Sequence, residues 1–313
     1  MGKRVFVLVP LFVLVLSLAG CTIWPAEVQR DTQPIRIAYL PITHSLVPMI
    51  MAADYLVEED DPFHIELVRF STWPDVVEAL RTGRVDGASI LFEVALLAQQ
   101  HGGFTLFRLS HRNGNVVVVS NDVENYRDLI GRTVAIPHPR SPQNTLLQII
   151  LEREGISSAD IHIIDLSPSE MPFTMASGAI AAFIVAEPFG AVAEDVGIGH
   201  IMETSDDVLP GAICCVMIFR DEFLEDFPEA QDWLKERFDS ATERAEDDAD
   251  TALSTLRRHS TTRDSALSRS LHNTTFDDLV LTYEEYKRIT ELIVWHGVLE
   301  YIPSFDSFVA QNY

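Results

Sequence analysis

Positive charge is scarce in this chain of 313 residues. Lysine and arginine number 23 against 47 aspartates and glutamates, which gives a formal net charge of −24 at neutral pH. Lysine occurs only at Lys3, Lys235 and Lys287. Proteins that bind nucleic acid present basic patches to the phosphate backbone, so nucleic acid is excluded as an expected partner.

Cysteines and catalytic motifs are also scarce. The cysteines are Cys21 and the adjacent pair Cys214 and Cys215. Neighbours on a strand point to opposite faces, so a disulfide within the pair would be strained, and no CxxC or Cys/His spacing accompanies it. We interpret the pair as small core residues and expect neither a metal nor a cofactor. The sequence has no Gly-rich phosphate loop, nucleophile elbow or HExxH motif, which favours a protein that is not an enzyme.

Long apolar runs are missing except at the N-terminus, where residues 5–19 follow the basic Lys3 and Arg4. This run is shorter than the about 20 residues of a membrane-spanning helix and has the length of a signal-peptide h-region. It ends in Leu-Ala-Gly before Cys21, which resembles a bacterial lipobox. We predict a lipoprotein signal peptide over residues 1–20, lipid attachment to Cys21 and a tether over residues 21–34. The fold would then be lipid-anchored on the periplasmic or extracellular face of a cell membrane.

Strand and helix patterns alternate along the rest of the chain, once over residues 35–115 and again over residues 125–205. Short β-branched segments such as "PIRIAYLP" are followed by stretches with helical spacing. Such alternation predicts an α/β fold with two lobes. We assign residues 35–120 plus 211–313 to lobe I and residues 121–210 to lobe II.

Two local signals are more specific than the general pattern. "SPQNTLLQIILEREG" has Ser141 as N-cap, Pro142 at the first helical position and Gly155 just past the end, which predicts a helix. The tail "FDSFVAQNY" carries Phe305 and Phe308, which we expect to dock on a core.

Ligands of parallel α/β sheets bind beyond the carboxyl ends of the strands, where helix N-termini converge. Hydroxyl, aromatic and charged side chains occupy these positions here, and they suit a small polar solute. The candidate ligand-binding residues are Thr43, His44, Ser45, Thr72, Trp73, Phe92, Arg112, Arg140, Ser141, Glu187 and Phe189. The wider set of strand-end residues also contains Glu93, His111, His138 and Gln143.

Several candidates have a plain structural interpretation as well. Thr72 and Ser141 are ordinary helix N-caps, and Trp73 equally suits a core anchor. Glu187 favours a helix N-terminus through the helix dipole. The histidines of the set do not share metal-ligand spacing, so no metal site is expected from them.

Five segments resemble, in order and spacing, the nitrate/sulfonate/taurine group of ABC-importer substrate-binding proteins, an NMT1/THI5-like and SsuA-type family. The segments are "IAYLPITHS", "ALRTGRVDGA", "GRTVAIPHPRSPQNTLL", "MASGAIAAFIVAEPFGAVAE" and "ICCVMIFRDEFLEDFPEA". They cover nearly all of the chain from about Ile35 onward, and the lipobox agrees with them.

The resemblance implies a two-lobed periplasmic-binding-protein fold of type II, with two Rossmann-like lobes joined by crossovers near residues 120–123 and 205–211. It implies that the lobes close on a small solute, such as nitrate, a sulfonate, taurine or a pyrimidine, and deliver it to a membrane permease driven by a separate ATPase. Thr43–Ser45 and Glu187 would line the cleft. We expect a monomer.

The charge of the solute and two other functions stay open. Arg112 and Arg140 favour an anion if they face the cleft, whereas Glu187 and the overall charge disfavour one. One alternative is an NMT1/THI5-type enzyme of pyrimidine synthesis, a cytosolic activity against which the lipobox argues. The other is a binding protein that feeds a membrane sensor.

Overall fold

The computed structural model describes residues 32–53 and 61–310, together with Gly2. The predicted signal peptide, Cys21 and residues 22–31 of the tether lie outside the described residues and stay sequence-based predictions. None of the helices in the described part of the chain is both long and apolar enough to cross a membrane.

The strands of the described residues are, in chain order, β1 (Gln33–Tyr39), β2 (Phe63–Arg69), β3 (Gly87–Leu91), β4 (Phe104–Leu109), β5 (Arg112–Asn113), β6 (Asn115–Ser120), β7 (Thr133–Ile136), β8 (His162–Asp165), β9 (Ala182–Ala186), β10 (Gly199–Thr204), β11 (Cys215–Arg220) and β12 (Thr274–Thr275). Two five-stranded sheets contain all but β5 and β12, which pair with each other.

The two sheets have equivalent topologies. The first has the order β2-β1-β3-β11-β4, and the second has the order β10-β6-β9-β7-β8. In the first, β1 runs parallel to β2 and β3, and β11 is antiparallel to β3 and β4. In the second, β7 runs parallel to β8 and β9, and β6 is antiparallel to β9 and β10. The central strands β3 and β9 are buried along their whole length, as strands with helices on both faces require.

The chain passes between the sheets through residues 110–114 and residues 205–214. The sequence predicts residues 115–120 in lobe I, but strand β6 pairs with β9 and β10 of the second sheet, so this boundary is wrong. The first crossover therefore precedes β6 instead of following it. We use lobe I for the first sheet and its helices and lobe II for the second sheet and its helices.

The α-helices of the described residues are α1 (Leu46–Met51), α2 (Trp73–Arg81), α3 (Phe92–Gln99), α4 (Pro142–Glu154), α5 (Met171–Ala176), α6 (Phe189–Asp195), α7 (Ser205–Val208), α8 (Asp221–Asp226), α9 (Glu229–Asp247), α10 (Ala249–His259), α11 (Asp264–His272), α12 (Tyr283–Trp295) and α13 (Phe305–Phe308). Short 3-10 helices span Thr43–Ser45, Tyr126–Leu129 and Ser158–Asp160.

Local capping explains where helix α4 begins and ends. Ser141 accepts a hydrogen bond from the N–H of Asn144 at 3.2 Å, and Pro142 is the first helical residue. Gly155 closes the helix at φ 65°, a left-handed conformation that glycine adopts without steric cost. The predicted helix is confirmed at both ends.

The C-terminal helices complete lobe I. Strand β11 returns the chain to the first sheet, and α9 and α10 then pack on α1. Phe308 is fully buried in the lobe I core beside Phe92, and Phe305 packs edge-on against Tyr286. The prediction that the tail docks on a core is therefore confirmed.

The tail aromatic provides a test of this packing. Phe308→Ala should lower the free energy of unfolding by about 3–5 kcal/mol, because it removes a fully buried ring from the core. Phe173→Ala is the matched control, since the Phe173 side chain is 78% exposed. Urea denaturation of both variants measures the difference, and equal effects would contradict the docking of the tail.

Candidate functional site between the two sheets

Residues that follow strands of both sheets meet at one buried interface. After β1, the N–H of Thr43 donates to the carbonyl oxygen of Glu187, which follows β9, at 3.0 Å. The Nε2 of His44 donates to the carbonyl oxygen of Gly114 in the first crossover at 2.7 Å. The side chains of Thr43, His44, Ser45 and Glu187 are fully buried. The two lobes are therefore closed on each other around this loop.

Six of the predicted ligand-binding residues lie at or beside this interface: Thr43, His44, Ser45, Ser141, Glu187 and Phe189. Helix α4, which Ser141 caps, covers lobe I with its first turn, where the Thr145 hydroxyl donates to Glu93 Oε1 at 2.8 Å. Contact of these residues with a ligand stays a prediction, but their placement agrees with it.

Glu187 precedes helix α6, and its side chain bonds to the first turn of that helix and to the segment after α11. Its Oε2 accepts the N–H of Ala191 at 3.0 Å, and its Oε1 accepts from Asn273 Nδ2 at 2.8 Å. Burial raises the pKa of the Glu187 carboxyl above its usual value, and these hydrogen bonds oppose the shift. The apolar strand β9 is thus followed directly by a carboxyl group that accepts a hydrogen bond from the first turn of α6 and another from Asn273, which follows α11.

The other predicted residues lie elsewhere in lobe I or on the surface. Thr72 caps α2 through the N–H of Asp75, Trp73 and Phe92 are core residues, and Arg140 is exposed. Of these residues Phe92 contacts the interface through its backbone, since its N–H donates to the carbonyl oxygen of Cys214 at 2.7 Å. Contact with a ligand stays a prediction for each.

Arg112 is committed to other protein groups. Its guanidinium donates to the carbonyl oxygens of Asp278 and Val280 at 2.7 and 3.2 Å, and it pairs with Glu285 at 2.8 Å. It therefore anchors the segment before α12, and its charge is balanced there.

The interface also contains a compact cluster of two imidazoles and two thiols. The Sγ atoms of Cys214 and Cys215 are 3.8 Å apart, and His44 Nδ1 lies 3.4 Å from Cys214 Sγ and 3.8 Å from Cys215 Sγ. His111 stacks on His44 with ring centroids 3.7 Å apart. We call these four fully buried residues the His–Cys cluster.

Sequence reasoning missed this cluster because it took both cysteines to be inside one strand. Strand β11 begins at Cys215, so Cys214 lies in the preceding crossover and its thiol can turn towards its neighbour. The available signal was position: His44 and His111 each closely follow a strand whose carboxyl end faces the interface. The spacing in sequence could not show this, because the four residues come from three distant segments.

Several polar atoms at the interface have no hydrogen-bond partner among the described residues. They are Ser45 Oγ, Glu93 Oε2, Asn115 Nδ2 and Gln143 Oε1. The other polar atoms of the Glu93, Asn115 and Gln143 side chains are hydrogen-bonded: Gln143 Nε2 donates to Asn115 Oδ1 at 2.6 Å, and Glu93 Oε1 accepts from Thr145. A buried polar atom without a partner costs about 1–3 kcal/mol, so this group is suited to receive a ligand.

Burial opposes the ionisation of several titratable side chains at the interface. It raises the pKa of Glu93 to about 8, against a hydrogen bond from Thr145. Burial and the neighbouring His44 lower the pKa of His111 to about 4. Burial also opposes ionisation of the thiols, but hydrogen bonds from Cys215 and the histidines together hold the pKa of Cys214 below its usual value, whereas that of Cys215 is raised.

A cavity of about 160 Å³ opens at the rim of the interface. Its walls come from both lobes and include Ile42, Arg69, Ser71, Pro168, Ser169 and Phe189. The volume is below the about 300–1,000 Å³ of drug-sized ligand sites, which fits a solute of few atoms. Arg69 supplies a positive charge at this rim.

Comparisons with known proteins agree with the fold. The sequence profile of a family described as NMT1-like matches residues 29–256. The ligand-binding component of an ABC-type import system from Staphylococcus aureus, solved with zinc bound, matches with a TM-score of 0.84 at 31% identity, covering 89% of this chain and 97% of that one. The predicted two-lobed fold is thereby confirmed.

Two curated relatives match part of the chain. The nitrate import ATP-binding protein NrtC of Synechocystis sp. is 26% identical over 214 residues, which are 61% of this chain and 32% of that protein. The taurine-binding periplasmic protein of Escherichia coli is 26% identical over 213 residues, covering 65% of this chain and 64% of that protein. This chain therefore spans about a third of the nitrate import relative. These matches confirm the resemblance inferred from the sequence.

The neutral state of Glu93 gives a prediction for stability against pH. Folded Glu93 keeps its proton up to about pH 8, whereas the unfolded side chain loses it near the usual pKa of 4.5. Between these values the folded protein binds one more proton than the unfolded one, so this residue lowers the free energy of unfolding as pH rises, by at most about 1.4 kcal/mol per pH unit. Glu93→Gln, which cannot ionise, should gain stability over the wild type through this window and match it at lower pH.

Urea denaturation across the window, in the presence of a chelator, measures this difference. Glu291→Gln is the control, because Glu291 lies exposed on α12. A Glu93→Gln difference that does not change with pH would show that the carboxyl is ionised in the folded protein.

Proposed function

This chain belongs to the NMT1-like family, and from that premise we propose that it is the solute-binding component of an ABC importer, which captures a small polar solute between its lobes. The observation that supports this most directly is the closed interface, where unpartnered polar atoms of Glu93, Asn115 and Gln143 lie among residues from both lobes. A site of this kind gains its missing hydrogen bonds when a ligand binds, which favours the closed state.

We further propose that the solute meets mainly neutral groups. Glu93 holds its proton near pH 7, the guanidinium of Arg112 is paired with Glu285, and Arg140 is exposed. An oxyanion buried at the interface would therefore find no cationic partner among these three described residues, whereas a neutral or heteroaromatic solute would not need one. An anionic group would be met at the rim, where Arg69 lines the cavity.

The proposed partners are a membrane permease and its ATPase, and the chain would act as a monomer without catalytic residues. The match to NrtC supports this partnership, because that relative is named as an import ATP-binding protein and part of its length resembles this chain. Adjacent genes for a permease and an ATPase would favour import, and a gene for a sensor kinase would favour the alternative of signalling.

We also propose that Cys21 carries a lipid that anchors the protein to a cell membrane, on its periplasmic or extracellular face. The support is the coincidence of a basic start, an apolar run of signal-peptide length and small residues directly before Cys21.

Solute binding can be tested with two glutamines of the same helix. A thermal-shift screen of nitrate, taurine, sulfonates, bicarbonate, pyrimidines and flavins should identify a solute that raises the melting temperature. Gln143→Ala should then weaken binding of that solute by about tenfold or more in calorimetry, because it removes a buried hydrogen-bonding group. Gln148→Ala is the control, since Gln148 lies on α4 and bonds to Asn144. Equal affinities of the two variants would place the solute elsewhere.

Lipid attachment has its own test. Metabolic labelling with an alkyne fatty acid should mark the wild-type chain, and Cys21→Ala should lose the label and appear in the soluble fraction. Retention of the label after Cys21→Ala would refute the lipid anchor. Solute affinity of the purified variant should stay unchanged.

A further inference from the structure

We propose that the His–Cys cluster, His44, His111, Cys214 and Cys215, is a binding site for a thiophilic divalent cation, with zinc as the expected ion. This proposal replaces the expectation of no metal site that the spacing in sequence suggested. It goes beyond the role in solute import and does not depend on it, because it stands on the geometry of these four side chains.

The distances in the cluster match those of a tetrahedral zinc site. With Zn–S bonds of about 2.3 Å and Zn–N bonds of about 2.0–2.1 Å, two sulfur ligands lie about 3.8 Å apart and a sulfur and a nitrogen about 3.5 Å apart. The Sγ atoms of Cys214 and Cys215 are 3.8 Å apart, and His44 Nδ1 lies 3.4 and 3.8 Å from them. All four residues offer a ligand atom within 4.8 Å of one another. Little rearrangement is needed to place one ion among them.

Hydrogen bonds fix both imidazoles in the orientation of metal ligands. His44 Nε2 faces the carbonyl oxygen of Gly114 at 2.7 Å, and His111 Nδ1 faces that of Arg112 at 3.3 Å. A carbonyl oxygen can only accept, so these nitrogens carry the protons, and His44 Nδ1 presents its lone pair to the thiols. His111 Nε2 accepts the backbone N–H of Cys215 at 3.3 Å, a hydrogen bond that an ion bound to this nitrogen would replace. A backbone acceptor on the outer ring nitrogen is the usual support of a histidine that binds zinc.

The charge of the site also suits a divalent ion. The four side chains are fully buried, and a net charge there would be costly. Two thiolates, two neutral imidazoles and one Zn²⁺ sum to zero, so the complex places no net charge in the interior. The thiol protons leave to solvent as the ion binds.

The cluster is located where opening of the lobes would expose it. Gln143 of lobe II lies with its Nε2 3.8 Å from Cys214 Sγ, so the first turn of α4 covers the cluster. Cys214 itself belongs to the second crossover. Separation of the lobes gives an ion a path to the cluster, and closure encloses it.

Cobalt titration tests the proposal directly. The protein with Cys21→Ser, treated with a chelator and then dialysed, is titrated with Co²⁺ under a reducing agent that does not bind metal. The expected result is one Co²⁺ per chain, with a thiolate-to-cobalt charge-transfer band, strong visible bands of tetrahedral Co²⁺, and displacement of both by Zn²⁺. X-ray absorption of the zinc-loaded protein should show two sulfur neighbours at about 2.3 Å and two nitrogen neighbours at about 2.0–2.1 Å.

Variants assign the ligands. Cys214→Ser with Cys215→Ser should abolish the charge-transfer band and weaken Zn²⁺ binding by at least about a hundredfold. His111→Gln should keep the band but weaken binding. His138→Gln is the control, because His138 lies outside the cluster and bonds to the backbone of Arg140. The cobalt spectra of the protein with an intact His–Cys cluster show whether thiolates bind the ion even if the cysteine variants fail to fold.

An octahedral cobalt spectrum without charge transfer, oxygen-only neighbours of zinc, or binding that survives loss of both cysteines would each overturn the proposal. The solute screen is independent of these results. A chain that binds a solute but no metal would keep the importer role and lose the metal site. A chain that binds the metal but no solute would keep the metal site and lose the importer role.

Discussion

The closure of the loop Thr43–Ser45 onto the crossovers is the contact on which the rest of the site depends. Gly114 makes it possible: its φ is 81°, and a Cβ there would lie 2.5 Å from His44 Nε2. Only a glycine allows its carbonyl group to approach the imidazole and accept the hydrogen bond. With His44 held in this way, His111 stacks on its ring, and the Sγ atoms of both cysteines lie within 3.8 Å of His44 Nδ1.

The energetics of the interface indicate why closure and binding are coupled. The closed state buries apolar residues but also leaves polar atoms of Ser45, Glu93 and Gln143 without hydrogen-bond partners in the part of the chain that the structure describes. Each such atom costs about 1–3 kcal/mol, which offsets part of the gain from apolar burial. A ligand that supplies the missing partners removes this cost, and the equilibrium shifts to the closed form by the difference in its affinity for the two forms.

The sequence predicted the fold well because strand and helix periodicity is a local property. Helix α4 was predicted with both ends correct, since its signals, Ser141 and Gly155, act on neighbouring backbone groups. Strand β6 was assigned to the wrong lobe, because a run of valines indicates a buried strand but not which sheet it joins. That choice depends on the crossover at residues 110–114, whose path no local pattern reveals.

The site was predictable only in part, for a related reason. Strand-end positions predicted that Thr43–Ser45 and Glu187 lie at the interface, because topology places such loops at one edge of a sheet. The assignment of Arg112 to ligand binding stays a prediction, and in the structure Glu285 and two carbonyl groups engage the guanidinium. Sequence reasoning also missed the meeting of Cys214 with the histidines, which requires the folded crossover.

The rate at which Cys214 and Cys215 react with iodoacetamide, measured by mass spectrometry on the Cys21→Ser protein at low urea concentrations, tests the central claim most directly. Both thiols are fully buried in the closed form. If the lobes open as units, labelling should be faster than global unfolding allows and should depend only weakly on urea, because opening exposes a small part of the surface that unfolding exposes. Labelling with the full urea dependence of global unfolding would show that the cluster belongs to a permanent core and not to a site that opens.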